Sequence, residues 1–164
     1  MIELRPWTVD DLPLLERLNE PLMTEHLGGP ETTEQLERRL RRYVQAQSSS
    51  GRMFKVMEDA RPVGGVGFWE REWNGDTLYE TGWGTLPEFQ GRSLATTAMG
   101  MLIALARVAD RHRFMHAFPS IDNGPSNAIC RKLDFELLGE CRFEYPKGHW
   151  MQCNDWRFTL HQYT

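Results

Sequence analysis

Residues 86–97 read LPEFQGRSLATT, and their types and order are suited to holding an anion. Gly91 has no Cβ to keep a ligand off the backbone, Arg92 brings a charge able to pair with phosphate, and Ser93 is a favoured helix N-cap whose hydroxyl can also reach a ligand. Downstream, over residues 94–108, Ala95, Met99, Leu102 and Ala106 recur at helical spacing with no proline. The first amides of such a helix lack internal acceptors and lie at the positive end of its dipole, so a phosphate placed there satisfies them. Upstream, residues 77–85 (TLYETGWGT) are aromatic and β-branched and bounded by turn formers, which predicts a strand. The plainer alternative for the same stretch is a capped helix after a loop, and strand, turn and helix taken alone favour it.

The same residues carry a resemblance. The run PEFQGRSLA at 87–95 resembles the acyl-CoA pyrophosphate loop of the GNAT N-acetyltransferases, Q/R-x-x-G-x-G/A. Gln90, Leu94 and Ala95 fit it, and Ser93 occupies the place of the usual middle glycine. Such a loop binds through its amides provided that Ser93 is not required at positive φ. A second run, DNGPSNAICRKLDF at 122–135, is similar to the D-N-x-x-S-x-x-x-x-x-K-L-G-F signature of the branch that acetylates protein N-termini and related amines, the ribosomal-protein alanine acetyltransferase type (RimJ/RimL-like). Asn123, Ser126, Lys132, Leu133 and Phe135 fall in register. Asp134 stands where glycine is usual, so a less sharply turned helix end is expected. The N-terminal part is arranged as in that branch, and the resemblance covers nearly the whole chain.

The resemblance implies acetyl transfer from acetyl-CoA, as co-substrate, to a primary amine: a protein or peptide N-terminus or a small-molecule amine. It implies cofactor contacts from Leu86, Gln90, Gly91, Arg92, Ser93, Leu94, Ala95 and Thr96, with Asn123 and Ser126 toward the acyl arm. An ammonium cannot attack a thioester, so a base or water relay is needed. Glu80, close to where relatives carry a glutamate, is the first candidate, with Glu70 and Glu72 behind it. Read by itself, Glu80 is equally a surface strand carboxylate or an arginine's partner. Where many relatives place a tyrosine that protonates the departing sulfur, this chain has Cys130, read as a small core residue, and Ser126 becomes the alternative donor. Ser126 also suits a helix N-cap, and Asn123 a turn. A member of the same fold that binds acyl-CoA as a sensor or structural subunit, without turnover, is the second reading.

The composition sets bounds. At 164 residues, with 40% hydrophobic and 26% charged residues, the chain suits one globular domain, 1–164. A net charge of −4 gives no general basis for nucleic-acid binding. No apolar run approaches the roughly 20 residues of a membrane span, and the first seven residues contain acid and proline where a secretion signal is apolar, so a cytoplasmic protein is expected. Cys130, Cys141 and Cys153 are widely spaced, the five histidines form no metal-ligand pattern, and no metal is expected. Oligomeric state is left open, a homodimer included.

The elements that must position these residues follow from periodicity. Residues 2–6 alternate as a strand. Thr8 with Asp11 signals a cap for a helix carrying Leu12, Leu15 and Leu18, and Thr32 with Gln35 caps a second helix carrying Leu36, Leu40, Tyr43 and Val44. Arg38, Arg39, Arg41 and Arg42, interleaved with Glu34 and Glu37, read as a solvated face. Residues 52–57 and 62–69 form a hairpin, in which Gly64, Gly65 and Gly67 mark a bulge or close backbone approach. A strand at 114–118, a short helix at 126–133 and a final hairpin at 135–143 and 151–160 complete the order β-α-α-β-β-β-α-β-α-β-β. This is a mixed α/β fold. The resemblance makes it a GNAT-like, mostly antiparallel sheet of about seven strands flanked by four helices, whose fourth and fifth strands splay to admit a pantetheine arm. The acceptor pocket is expected between residues 22–30, the central strands and the last hairpin, with Glu25, His26, Trp69, Trp83, Tyr145, His149 and Trp150. Trp7 and Trp156 are expected in the core.

Overall fold

A computed structural model gives the architecture, and residues 1–162 are described. Tyr163 and Thr164, the end of the expected 1–164 domain, lie outside them. The chain runs β1 (Ile2–Pro6), α1 (Leu12–Leu18), α2 (Pro21–Thr24), α3 (Thr33–Gln45), β2 (Gln47–Ser48), β3 (Gly51–Glu58), β4 (Arg61–Trp73), β5 (Asp76–Thr85), α4 (Leu94–Ala109), β6 (Phe114–Ala117), α5 (Gly124–Lys132), β7 (Glu136–Glu144) and β8 (Trp150–Thr159). The expected order holds with two additions, the single turn α2 and the two-residue β2. Both are too short to leave a periodic signal.

Local chemistry explains the boundaries. The Thr8–Asp11 box precedes α1, with the Thr8 amide donating to Asp11 Oδ2 at 2.6 Å. The Thr32–Gln35 box opens α3, where the Gln35 amide donates to Thr32 Oγ1 at 3.2 Å and the Thr32 amide to Gln35 Oε1 at 2.8 Å. Asp59-Ala60 and Asn74-Gly75 turn the β3–β4 and β4–β5 hairpins with positive φ at both positions, as two-residue hairpin turns require. Gly64 is indispensable where β4 lies against β5, because a Cβ there would fall 2.1 Å from the Gly84 carbonyl oxygen.

The sheet order is β1-β3-β4-β5-β6-β8-β7, with β2 on β3. Every pairing is antiparallel except β5 with β6. One core packs α4 and α5 onto a face of this sheet through Phe68, Tyr79, Met99, Leu102, Met115 and Trp156. A second lies under α1 and α3 around Trp7, Leu15, Leu36, Leu40 and Leu86, so both tryptophans expected in the core are there, each 3% exposed. In α1 the buried pair is Leu14 and Leu15, while Leu12 and Leu18 are only partly covered. Among the described residues no helix is long and apolar enough to cross a membrane, and no three His, Cys, Asp or Glu side chains gather as a metal site requires.

Candidate active site

The site begins where the sheet comes apart. Strands β5 and β6 pair at only two positions, Tyr79 with Met115 and Glu80 with His116. Beyond them residues 81–85 remain paired to β4, while β6 ends at Ala117 and the chain turns off to Ser120, which bridges Cys153. With the short β2 counted, β5 and β6 are the pair expected to splay as fourth and fifth. The gap opens into a cleft of about 480 Å³ that Glu80, Gly82, Trp83, Phe118, Asn123 and Ser126 help to line. Strand β5 thus offers unpaired backbone groups along one edge, the kind of edge an extended ligand can occupy.

Glu80 sits at the fork, on the cleft wall and only 8% exposed. It shares its sheet face with Trp69, its register partner on β4. Burial pushes the Glu80 carboxyl above the ordinary range, against the opposite pull of Arg71 and of a hydrogen bond from Trp69. The Arg71 Nε–H donates to Glu80 Oε1, and its guanidinium lies 4.5 Å from the centre of the Phe143 ring. Glu80 is therefore both the arginine's partner and a cleft carboxylate raised toward neutrality. Glu70 is held by His112 and Arg111 and Glu72 accepts from Thr77. Neither lines the cleft.

The loop of residues 86–96 is built as an N-terminal helix cradle, with changes in three roles. Gly91 has φ 75° and Ser93 φ 60°, ψ 19°, so Ser93 does stand at the positive φ it was expected to avoid, and the backbone keeps the glycine-type turn at the cost of strain rather than giving up its amides. Such a conformation crowds the serine Cβ against backbone and strains it. Ser93 stands at the N-cap of α4, but its side chain makes no cap hydrogen bond. The first backbone bond of the helix is Thr97 N–H to the Ser93 carbonyl at 3.0 Å, leaving the amides of Leu94, Ala95 and Thr96 without intrahelical acceptors. Arg92, expected on phosphate, forms a two-pronged pair with Glu58, at 2.9 and 2.6 Å, which ties the loop to the β3–β4 hairpin. Gln90 folds back, its Nε2 donating to the Thr85 carbonyl at 2.9 Å. Leu86 and Leu94 are buried in the core and anchor the loop from both ends. None of residues 90–96 lines the 480 Å³ cleft, but Gln90 touches Met23, which does.

Across the gap, α5 starts earlier than expected. Asn123, not Ser126, is its N-cap, with Asn123 Oδ1 accepting from the Ser126 amide at 3.2 Å. Pro125 is tolerated in the first turn because its missing N–H needs no partner there. The Ser126 hydroxyl is consequently not spent on capping, and Ser126 lines the cleft beside Asn123. Asn127, which sequence reasoning passed over, is the hub: its Oδ1 accepts from Asn154 and from the Trp156 indole, both at 2.8 Å, and its Nδ2 donates to the carbonyls of Ser120 and Asn123. Its signal was only its place on the inner side of a short helix. Cys130 is fully buried and its thiol is pushed up to about 12 by burial, as suits a core residue. Asp134 takes φ 62°, and the Phe135 amide donates to the Cys130 carbonyl at 3.0 Å. That is a fully closed helix end, so the missing glycine does not open the turn that was expected to be blunter.

The far wall of the cleft comes from residues 23–31, α3 and the β7–β8 end. His26, Trp69, Trp83 and Tyr145 line the cleft as expected. Glu25 and His149 face an adjoining recess of about 290 Å³, and Trp150 is 54% exposed with Arg142 over its ring. The arginine face of α3 divides. Arg38, Arg41 and Arg42 are exposed, whereas Arg39 turns inward, pairs with Glu31, and donates from Nη2 to the Tyr145 hydroxyl at 2.7 Å. Position 39 is three residues after Leu36 and four before Tyr43, on the edge of the apolar stripe, and that spacing was the available signal.

The family described as Acetyltransferase (GNAT) domain matches residues 2–136. A comparison with curated protein sequences gives no match. Among solved structures, yncA of Salmonella typhimurium, an acetyltransferase described with its cofactor acetyl-CoA, has 21% identity over 99% of this chain and 95% of its own, with a TM-score of 0.79. An acetyl transferase of Salmonella typhimurium that modifies the N-terminal serine of a 50S ribosomal subunit protein has 18% identity over 96% and 94%, with a TM-score of 0.79. An aminoglycoside acetyltransferase in complex with coenzyme A has 21% identity over 97% and 95%, with a TM-score of 0.76. At these identities the structures speak for the fold, and the family match, which spans most of the sequence, adds the membership: this chain belongs to the GNAT acetyltransferases.

Proposed function

We propose that the chain is a single-domain N-acetyltransferase that moves an acetyl group from acetyl-CoA to a primary amine by direct attack. The observation that carries this reading is the fork itself, a buried carboxyl at the point where β5 loses its neighbour and an open cleft begins. The residues present fit the co-substrate. The unpaired edge of β5 at residues 81–85 suits the amides of a pantetheine arm, and the amides at the start of α4 suit its diphosphate. Arg92 is committed to Glu58, so diphosphate binding rests on the backbone around Gly91 to Thr96 rather than on an arginine. When bound, acetyl-CoA supplies an activated thioester.

The chain's own groups then do three things. The cleft holds the acceptor nitrogen next to the fork, a positioning effect worth several orders of magnitude in rate. Glu80, raised by burial, takes the first proton from the ammonium through water. The Ser126 hydroxyl stands to pass the second to the departing sulfur. As the N–C bond forms and the C–S bond breaks, the nitrogen thus loses two protons, one to solvent by way of Glu80 and one to sulfur. The thiols of Cys130 and Cys153 are fully buried and pushed up to about 12 and about 11, which argues against an acyl-cysteine route. The likeness of residues 122–135 to the RimJ/RimL-like branch favours a peptide N-terminus or a related amine as acceptor.

The test is direct. Titration of the protein with acetyl-CoA, followed by thiol release across a panel of amines and N-terminal peptides, should show saturable binding and turnover on part of the panel. Binding without turnover on any amine would instead identify an acyl-CoA sensor, and no binding would remove both readings.

A further inference from the structure

The wall of the cleft opposite the fork already holds a carboxylate. Arg39 pairs with Glu31 and donates from Nη2 to the Tyr145 hydroxyl at 2.7 Å, and Arg39, Glu31 and Tyr145 all line the cleft. The Nε–H of Arg39 is buried without an acceptor. A guanidinium presents its Nε–H and one Nη–H as a parallel pair that matches the two oxygens of a carboxylate. Glu31 fills one side of that fork and leaves the other. Its backbone is pinned, with the Glu31 amide donating to Asn19 Oδ1 at 2.8 Å and Asn19 Nδ2 to the Glu31 carbonyl at 2.9 Å, so its side chain alone can leave the pair. Since the Tyr145 hydroxyl accepts from Arg39, its own proton remains to be donated.

We propose that the acceptor is an amine carrying a carboxylate, which displaces the Glu31 side chain and docks against Nε and Nη2 of Arg39 while the amine reaches Glu80. Glu31 is a built-in stand-in for that group. The charges on the cleft wall point the same way: among the described residues, Glu31 and Glu80 are its only acidic residues and Arg39 its only guanidinium. A polycationic amine would find no set of carboxylates to meet it, whereas an amine with one carboxylate finds one partner for each charge. The amine end of this assignment rests on the acetyltransferase reading. The carboxylate end does not.

The experiment compares amino carboxylates of graded length, from aminobutanoate to aminooctanoate together with α-amino acids, each against its own carboxamide. Two quantities are read, the thermal midpoint of the protein with each compound and kcat/KM with acetyl-CoA. For at least one length the carboxylate should raise the midpoint where the amide does not, and should be turned over about tenfold to a hundredfold better, the range expected for a charged hydrogen-bonded pair. Arg39→Gln should abolish that preference by raising KM for the carboxylates to the level of their amides. Glu31→Gln should lower KM for the carboxylates, because the internal competitor is gone, and Tyr145→Phe should raise it. Equal midpoints and equal kcat/KM within every pair would overturn the proposal, as would a preference that survives Arg39→Gln. If Arg39→Gln does not fold, the other two variants decide, and an unchanged preference in both is fatal. Failure of the transferase reading looks different: no amine is turned over, yet the carboxylate-dependent midpoint is still seen.

Discussion

Glu80 is where burial and charge meet in this molecule. Its carboxyl is raised because desolvation outweighs the attraction of Arg71, and a base raised toward neutrality accepts a proton from an ammonium more readily than a surface carboxylate does. Glu80→Gln should lower kcat/KM by about 10² to 10⁴, the usual worth of a positioned base, without weakening acetyl-CoA binding in a titration. In the wild type the rate should climb with pH through the raised carboxyl pKa, a limb that Glu80→Gln loses. Stability carries the opposite sign. The folded state holds the Glu80 proton more tightly than the unfolded chain, so between the ordinary value of 4.5 and the raised one, rising pH favours unfolding. Urea midpoints at pH 4 and pH 7 should therefore show the wild type losing ground relative to Glu80→Gln as pH rises, and a constant difference would deny the shift. Glu80 was legible as a candidate because its strand was. Its partner was not, because Arg71 meets it across a hairpin whose register the sequence leaves open. Arg39 was misread for a related reason: charge type weighed more than its place on the helix stripe.

The loop into α4 shows what an element imposes on its residues. The strand, turn and helix were each legible from periodicity and glycine placement, and α4 starts at Leu94 as expected. The roles inside the turn depended on φ and on distant partners, which neighbouring residues do not reveal. Ser93 sits at φ 60°, a conformation that glycine adopts freely and an L-residue does not. Ser93→Gly should therefore stabilise the protein by up to about 1 kcal/mol, after allowance for the freedom glycine adds to the unfolded chain. The increase in thermal midpoint measures it, and a lower midpoint would show that the hydroxyl makes up for the strain. Arg92 is about half exposed although Glu58 is buried, so their pair contributes about 1 kcal/mol or less after screening. With Arg92 held by Glu58, Arg92→Ala should cost coenzyme A only a few-fold in affinity if the amides do the binding. A loss of two orders of magnitude in a calorimetric titration would put the arginine, released from Glu58, on the phosphates. Gln90→Glu should do more damage than Arg92→Ala, since it places a carboxylate against the Thr85 carbonyl and next to the diphosphate site.

For the molecule as a whole the question is what occupies the gap between β5 and β6. The order of elements and the mixed sheet could be read along the chain, whereas the splay came only with the family likeness, because two-residue pairing between strands more than thirty residues apart leaves no periodic trace. The structure makes the gap a physical object: residues 81–85 are paired to β4 on one side, and β6 supports β5 only as far as Glu80. Successive amides of a strand point to opposite edges, so every second amide from Thr81 to Thr85 faces the cleft and meets water in the free protein. An extended ligand that pairs with that edge satisfies them and slows their exchange, much as a neighbouring strand would. Hydrogen exchange with and without saturating acetyl-CoA should accordingly show protection confined to these alternate amides and to the first turn of α4. Amides at the β6–β8 and β7–β8 pairings, already satisfied within the sheet, should exchange as before. Uniform slowing across the protein would mean general stabilisation by a ligand bound elsewhere, and unchanged exchange at residues 81–85 would leave the gap without its occupant.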